Sequence, residues 1–193
     1  MGTTPQPAPK QRPIQYIVFI ADVQVAQAAK LRAALTDAVN ANRDIYLIIS
    51  SGGGNVAEGL GIAAFMKTLP VEVTTHNVSQ IDSIAGVIFA AGKKRYSNAQ
   101  ASFMFHGVTM HYEKANFIES QLKEQYSQIV RLRESIATAF ANYTGLNIKD
   151  VEALMVSGAT VLSAQDAKSK AIVHEVREAQ IPANSQVVSI GNA

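Results

Sequence analysis

The chain has 193 residues, 48% of them hydrophobic and 17% charged, which suits a single soluble domain with one large core. A formal net charge of +2 is too small to point to nucleic acid, and the lone basic triplet, Lys93-Lys94-Arg95, reads as a solvated turn. With no cysteine, disulfides and thiolate metal sites are excluded, and neither a metal nor a cofactor is expected.

Residues Met1 to Pro13 are rich in Pro, Gln and Thr and have no apolar stretch, so they read as a disordered leader and not as a secretion signal. Ile14 to Ile20 is a short run of β-branched and aromatic residues, expected as a buried strand. From Val23 to Asn42, apolar residues recur at helical spacing (Val25, Ala28, Leu31, Leu35). A second buried strand, Ile45 to Ile49, runs into Gly52-Gly53-Gly54, and a helix over Val56 to Leu69 follows, closed by Pro70. A third strand spans Val71 to Val78, and a short helix of small and apolar residues runs from Ser83 to Ala91, ended by Gly92. Ile84 to Ala91 is the longest apolar stretch and falls far short of the roughly 20 residues a membrane span needs. No membrane contact is expected, and the expected location is cytoplasmic.

Ala101 to Phe105 is a fourth strand with His106 at its end. A long helix is expected from about Lys114 to Tyr143, stopped by Thr144-Gly145. Helices over Ile148–Val156 and Ala164–Lys170 lead to a last strand, Ile172 to Val176. Strands and helices alternate throughout, which argues for an α/β fold around a largely parallel sheet. The domain is expected over 14–178, with a flexible tail over 179–193.

Three features carry candidate chemistry. The triple glycine can bring backbone N–H groups close to a ligand, although it also suits a plain tight turn. It does not fit a nucleotide loop, because no Gly-Lys-Ser/Thr follows and the spacing is not Gly-x-Gly-x-x-Gly. Ser83 is either the N-cap of the small-residue helix or a nucleophile whose developing charge the helix terminus stabilises. His106, one of four histidines, is either structural or a general base; His111 and His174 are expected to face water, and His76 is left open. Amide donors, a hydroxyl and an imidazole are the parts of a serine hydrolase.

The order of these features carries a resemblance. Ile45 to Val56 resembles the strand and Ser-Pro-Gly-Gly-Ser-Val loop of Clp protease proteolytic subunits, and Gln80-Ile81-Asp82-Ser83-Ile84-Ala85-Gly86 is similar to their Gln-Ala-Ala-Ser-Met-Gly-Ala nucleophile motif. Ala90-Ala91-Gly92, Lys94-Arg95-Tyr96, Asn98, Phe103-Met104-Phe105-His106, Tyr143-Thr144-Gly145 and Leu162 to Ala167 follow in matching sequence. The resemblance spans about Ile14 to Val176. It implies a ClpP/crotonase-like α/β fold of repeated β-β-α units with a protruding handle helix, here Lys114–Tyr143. It also implies Ser83 as nucleophile, His106 as general base, and the N–H groups of Gly53 and Ile84 as oxyanion donors. The implied activity is cofactor-free cleavage of small peptides or unfolded proteins through an acyl-enzyme. The implied assembly is a homo-oligomeric ring or a stack of rings interlocked through the handles.

Three departures stand out. The family's catalytic Asp lies shortly before the Leu-Ser-Ala stretch, where this chain reads Ser157-Gly158-Ala159-Thr160-Val161 with no carboxylate. Asp82 and Asp166 are the candidate substitute acids. Gly52 replaces the loop proline, and the Pro-rich leader does not match the segment that helps the family contact its AAA+ unfoldase, which leaves that partnership open. The alternative function is therefore an inactive or weak scaffold or regulatory subunit. An acyl-CoA enzyme of the crotonase type and a Ser-Lys peptidase using Lys93 or Lys94 rank behind it. A histidine base predicts acylation rising with pH through about 6.5.

Overall fold

Strand β1 (Ile14–Ile20) pairs in parallel with β2 (Asp44–Ser51), with Ile17 opposite Leu47 and Phe19 opposite Ile49. Both strands are nearly continuous apolar runs because both faces of the sheet are covered. Ile17, Phe19, Leu47 and Ile49 face the main core, while Tyr16, Tyr46 and Ile48 build a smaller aromatic cluster. The computed structural model describes residues 12–110, 116, 118–156 and 158–192, so most of the expected leader and His111 lie outside the described residues.

Helix α1 (Val25–Asn40) follows β1 and buries Ala28, Leu31, Leu35 and Ala38 of the expected stripe, whereas Val25 at its first position is exposed. Helix α2 (Val56–Thr68) starts where the Asn55 side chain accepts the Glu58 N–H at 3.1 Å. Arg32 reaches from α1 to Glu58 at 2.8 Å and ties the two helices together. Strand β3 (Val73–Asp82) then lies parallel to β2, with a register shift after Ile49. Its first half pairs with β4 (Lys94–Ser97) and its last three residues with β5 (Ser102–Phe105), so β3 serves two neighbours in turn. In the chain, α3 (Ala85–Ala90), every residue of which is buried, lies between β3 and β4.

The long helix α4 (Glu119–Thr144) ends at Gly145, whose φ of 81° closes it in the left-handed conformation. It begins five residues later than the sequence suggests; Ile118 is its N-cap, and most of the preceding residues lie outside the described residues. Its buried residues, Ile136, Ala137, Phe140 and Ala141, all fall toward its end. Among the described residues from 118 to 135 none is buried, so this half of the helix stands clear of the core. Helix α5 (Ile148–Val156) packs back on α4. Strand β6 (Thr160–Ser163) pairs antiparallel with β5, α6 (Ala164–Ser169) follows, and the two-residue strand β7 (Glu175–Val176) joins β4.

Three sequence expectations change. The tail contains β8 (Val187–Gly191), which pairs in parallel with β1 as the outer strand of the sheet, so this stretch is held by hydrogen bonds and is not loose. Arg95 is not in a solvated turn. It is 5% exposed, and its guanidinium donates to the carbonyls of Gly92, Tyr143, Ala171 and Ile172, fastening three segments at once. Lys93 and Lys94 do face water, where Glu72 pairs with both at 3.1 and 2.5 Å. Ile172 and Val173 enter the core outside any strand, and β7 is shorter than expected.

Candidate active site

Strand β3 ends at Asp82, and the chain turns sharply at Ser83, whose φ is 54°. A serine in the left-handed region is strained, and such strain persists only where the surroundings impose it. Here the Ser83 N–H donates to the Met104 carbonyl at 2.8 Å, and the Ser83 carbonyl accepts from Gly86 at 3.0 Å. The N-cap of α3 is Ile84, with no side-chain cap hydrogen bond, so Ser83 does not cap the helix. Its side chain is half-buried and opens on a cavity of about 550 Å³. This strand-to-helix turn, presenting a hydroxyl at the end of a sheet, is the geometry of a nucleophile elbow.

The glycine loop packs directly on that turn. Gly53 has φ 91°, and a Cβ there would lie 2.7 Å from Ser83 Cβ and 2.9 Å from the Asp82 carbonyl oxygen. Gly54 has φ 137°, and a Cβ there would lie 2.6 Å from the Val23 carbonyl oxygen. Only glycine fits either place. Val23 N–H donates to the Gly53 carbonyl and Asn55 N–H to the Val23 carbonyl, both at 2.7 Å. Gly53 N–H, the donor expected from the motif, is held by Ser51 Oγ at 3.2 Å, whereas Gly52 and Gly54 line the cavity.

His106 lines the same cavity from the end of β5 and is half-buried. Its Nδ1 lies 2.7 Å from the Gly107 carbonyl oxygen. A carbonyl only accepts, so Nδ1 carries the proton and donates, which leaves Nε2 of the neutral ring as the acceptor. A main-chain oxygen thus fixes the tautomer of this ring. In β6, Thr160 pairs with Phe105, so the strand beside His106 presents a hydroxyl residue where the resemblance implies a carboxylate.

The two candidate acids part company. Asp166 is committed to helix capping. Its Oδ2 accepts from Ser163 Oγ at 2.6 Å and from Ser163 N–H at 3.2 Å, and this pair holds its carboxyl below the ordinary value. Ser163 stands at the end of β6 remote from Thr160, so Asp166 does not serve His106. Asp82 is 9% exposed and pairs with Met104, two residues before His106, close enough for its charge to interact with the imidazole. Burial pushes the Asp82 carboxyl up, while the charge of nearby His106 and a backbone hydrogen bond with Met104 pull it back.

Most of the remaining wall is apolar, with Val87, Phe105, Ile136, Phe140, Val151 and Met155, while Gln24 and Thr109 add polar groups. Phe105 and Phe140 meet edge to face at 5.3 Å, so the base of α4 closes the cavity. The apolar spacing of α4 and α5 could have revealed this wall, but the Gly107 carbonyl carries no side-chain signal. Elsewhere, His76 is fully buried in the sheet, away from the cavity. Lys93 and Lys94 are occupied by Glu72, which removes them from a Ser-Lys arrangement. Among the described residues no cluster suited to a metal ion occurs, and no helix is long and apolar enough to cross a membrane.

The family model described as Clp protease matches residues 10–180. Among solved structures, a ClpP1 point mutant from Listeria monocytogenes superposes with a TM-score of 0.75 at 22% sequence identity, covering 86% of this chain and 92% of that one.

Proposed function

We propose that this chain, which belongs to the Clp protease family, is a serine endopeptidase that cleaves small peptides or unfolded proteins through Ser83 and His106. The observation that carries the reading is the cavity shared by a strained, helix-leading serine and an imidazole whose Nε2 is left as acceptor. In acylation, Nε2 takes the Ser83 hydroxyl proton while Oγ bonds to the scissile carbonyl carbon, and the π pair moves onto oxygen. The N–H of Ile84 and the N–H of Gly53, exchanging Ser51 Oγ for the substrate, stabilise that oxyanion. Its collapse breaks the C–N bond, and the imidazolium protonates the leaving amine. Water then enters by the same route and releases the acid. No metal or cofactor takes part in this sequence.

The Gly107 carbonyl orients the imidazole, and ionised Asp82, whose charge reaches His106, supports the imidazolium as the substitute acid. The apolar wall favours an apolar side chain beside the scissile bond. A cytoplasmic homo-oligomer completes the reading. Exposed Ile118, Leu122 and Tyr126 recur every fourth residue on the free half of α4 and suit contact between stacked rings.

The observation favouring the scaffold reading is Thr160, which stands beside the histidine strand in the segment where the acid would lie. Turnover of fluorogenic peptides with an apolar residue before the cleaved bond decides between the two. The peptidase reading expects hydrolysis by the wild type and a loss of roughly 10³-fold or more in Ser83→Ala and in His106→Ala. No hydrolysis by the assembled wild type selects the scaffold.

A further inference from the structure

The glycine loop is fastened from a part of the chain far from it in sequence. Strand β8 runs along β1 as far as Ile20 opposite Gly191. Just beyond that pair, Asn192 Oδ1 accepts the Asp22 N–H at 3.0 Å, across 170 positions of sequence. Asp22 opens the turn that joins β1 to α1, and its Oδ1 lies 3.2 Å from where a Gly52 Cβ would stand. The next residue, Val23, holds the loop on both sides, donating to the Gly53 carbonyl and accepting from Asn55 N–H. Val23 also forms an isolated parallel bridge with Gly54, and Gly53 packs against Ser83. Asn192, Asp22, Val23, the Gly53–Gly54 loop and Ser83 are therefore one unbroken run of contacts.

We propose that β8 and Asn192 form a positioning strap that holds the β1–α1 turn, and through it the oxyanion loop, against Ser83. The proposal rests on the serine-peptidase reading above and adds to it a residue outside the motifs. Three glycines in succession give the loop wide backbone freedom, and Val23 restrains it at both the Gly53 carbonyl and the Asn55 N–H. Val23 in turn is placed by Asp22, whose amide has Asn192 as its partner. Asn192 touches no reacting atom, so it is a positioning residue.

The test uses the full chain with Asn192→Ala, which removes the acceptor, and Asn192→Asp, which keeps an acceptor oxygen at the same reach. The strap predicts that Asn192→Ala lowers kcat and the rate of fluorophosphonate labelling by about tenfold, with KM unchanged and Tm unmoved. It also predicts faster amide hydrogen exchange in peptides covering Val23 and Asn55, and recovery of both readouts in Asn192→Asp. Equal labelling and exchange in wild type and Asn192→Ala overturn it, as does a loss that follows a fall in Tm and is not recovered by Asn192→Asp. An unlabelled wild type instead overturns the Ser83 reading, and the exchange measurement then still decides the strap by itself.

Discussion

At Gly53, sequence, backbone and chemistry meet in one atom that is missing. A methyl there would overlap Ser83 Cβ and require a φ of 91° that alanine rarely adopts. Gly53→Ala should therefore displace the loop and lower kcat by about 10²-fold, the order seen when one oxyanion donor is lost, with KM for a short peptide the smaller effect. Asp82 gives a prediction of opposite sign for stability and activity. Its carboxyl is pushed up by burial, so at neutral pH the folded state bears the cost of a desolvated charge, a cost relieved as pH falls through the raised value. Asp82→Asn should raise Tm at pH 7, with a gain that shrinks in acid. It should also lower kcat by about tenfold, less than the loss of a full triad acid, because the Gly107 carbonyl still orients the ring. An unchanged kcat would remove Asp82 from the mechanism.

Among the elements, β3 shows best what could be read in advance and what could not. Its first half, opening on the β-branched Val73-Thr74-Thr75, was legible like β1, β2 and α1, because buried strands and amphipathic helices write their pattern into local sequence. The extension of β3 to Asp82 was not, because it depends on pairing with β5, whose register sets Asp82 beside Met104, two residues before His106. Strands β4, β6 and β8 escaped for a similar reason. They are four or five residues long, mostly half-exposed or exposed, and are made strands by neighbours distant in sequence. Ser83 and the glycine loop were legible as motifs, but the Gly107 carbonyl is backbone and has no residue type to betray it.

The β3 position left open, His76, resolves into a buried network. Tyr46 OH lies 2.6 Å from Nδ1, and Nε2 lies 2.9 Å from Asn98 Oδ1 and 3.0 Å from the Arg177 carbonyl. Both partners of Nε2 accept, so the ring is neutral with its proton there and receives the tyrosine hydroxyl at Nδ1. Burial lowers the ring below its ordinary value of 6.5, so the unfolded chain binds the extra proton first and stability falls as pH drops below that point. Denaturant unfolding between pH 8 and 5 should show this decline in the wild type and a flatter profile in His76→Gln. Parallel profiles would place the acid sensitivity elsewhere.

For the whole molecule, α4 divides into a half that builds the cavity wall and a half that touches no core. Ile136 and Phe140 close the site, while Ile118, Leu122 and Tyr126 are 66%, 54% and 68% exposed. A row of large apolar residues this open is the kind of surface through which protein chains associate. If it joins stacked rings, Leu122→Lys with Tyr126→Lys should halve the particle mass by analytical ultracentrifugation while leaving each ring intact. Because the same helix walls the site, peptide turnover should fall with the mass. An unchanged mass would assign the row to another role.

Fluorophosphonate modification followed by peptide mapping by mass spectrometry tests most directly whether Ser83 is a nucleophile. A single adduct on the peptide carrying Ser83, absent from Ser83→Ala and strongly slowed in His106→Ala, is the predicted result. No adduct on the folded wild-type protein, or one mapped to another serine, would contradict it.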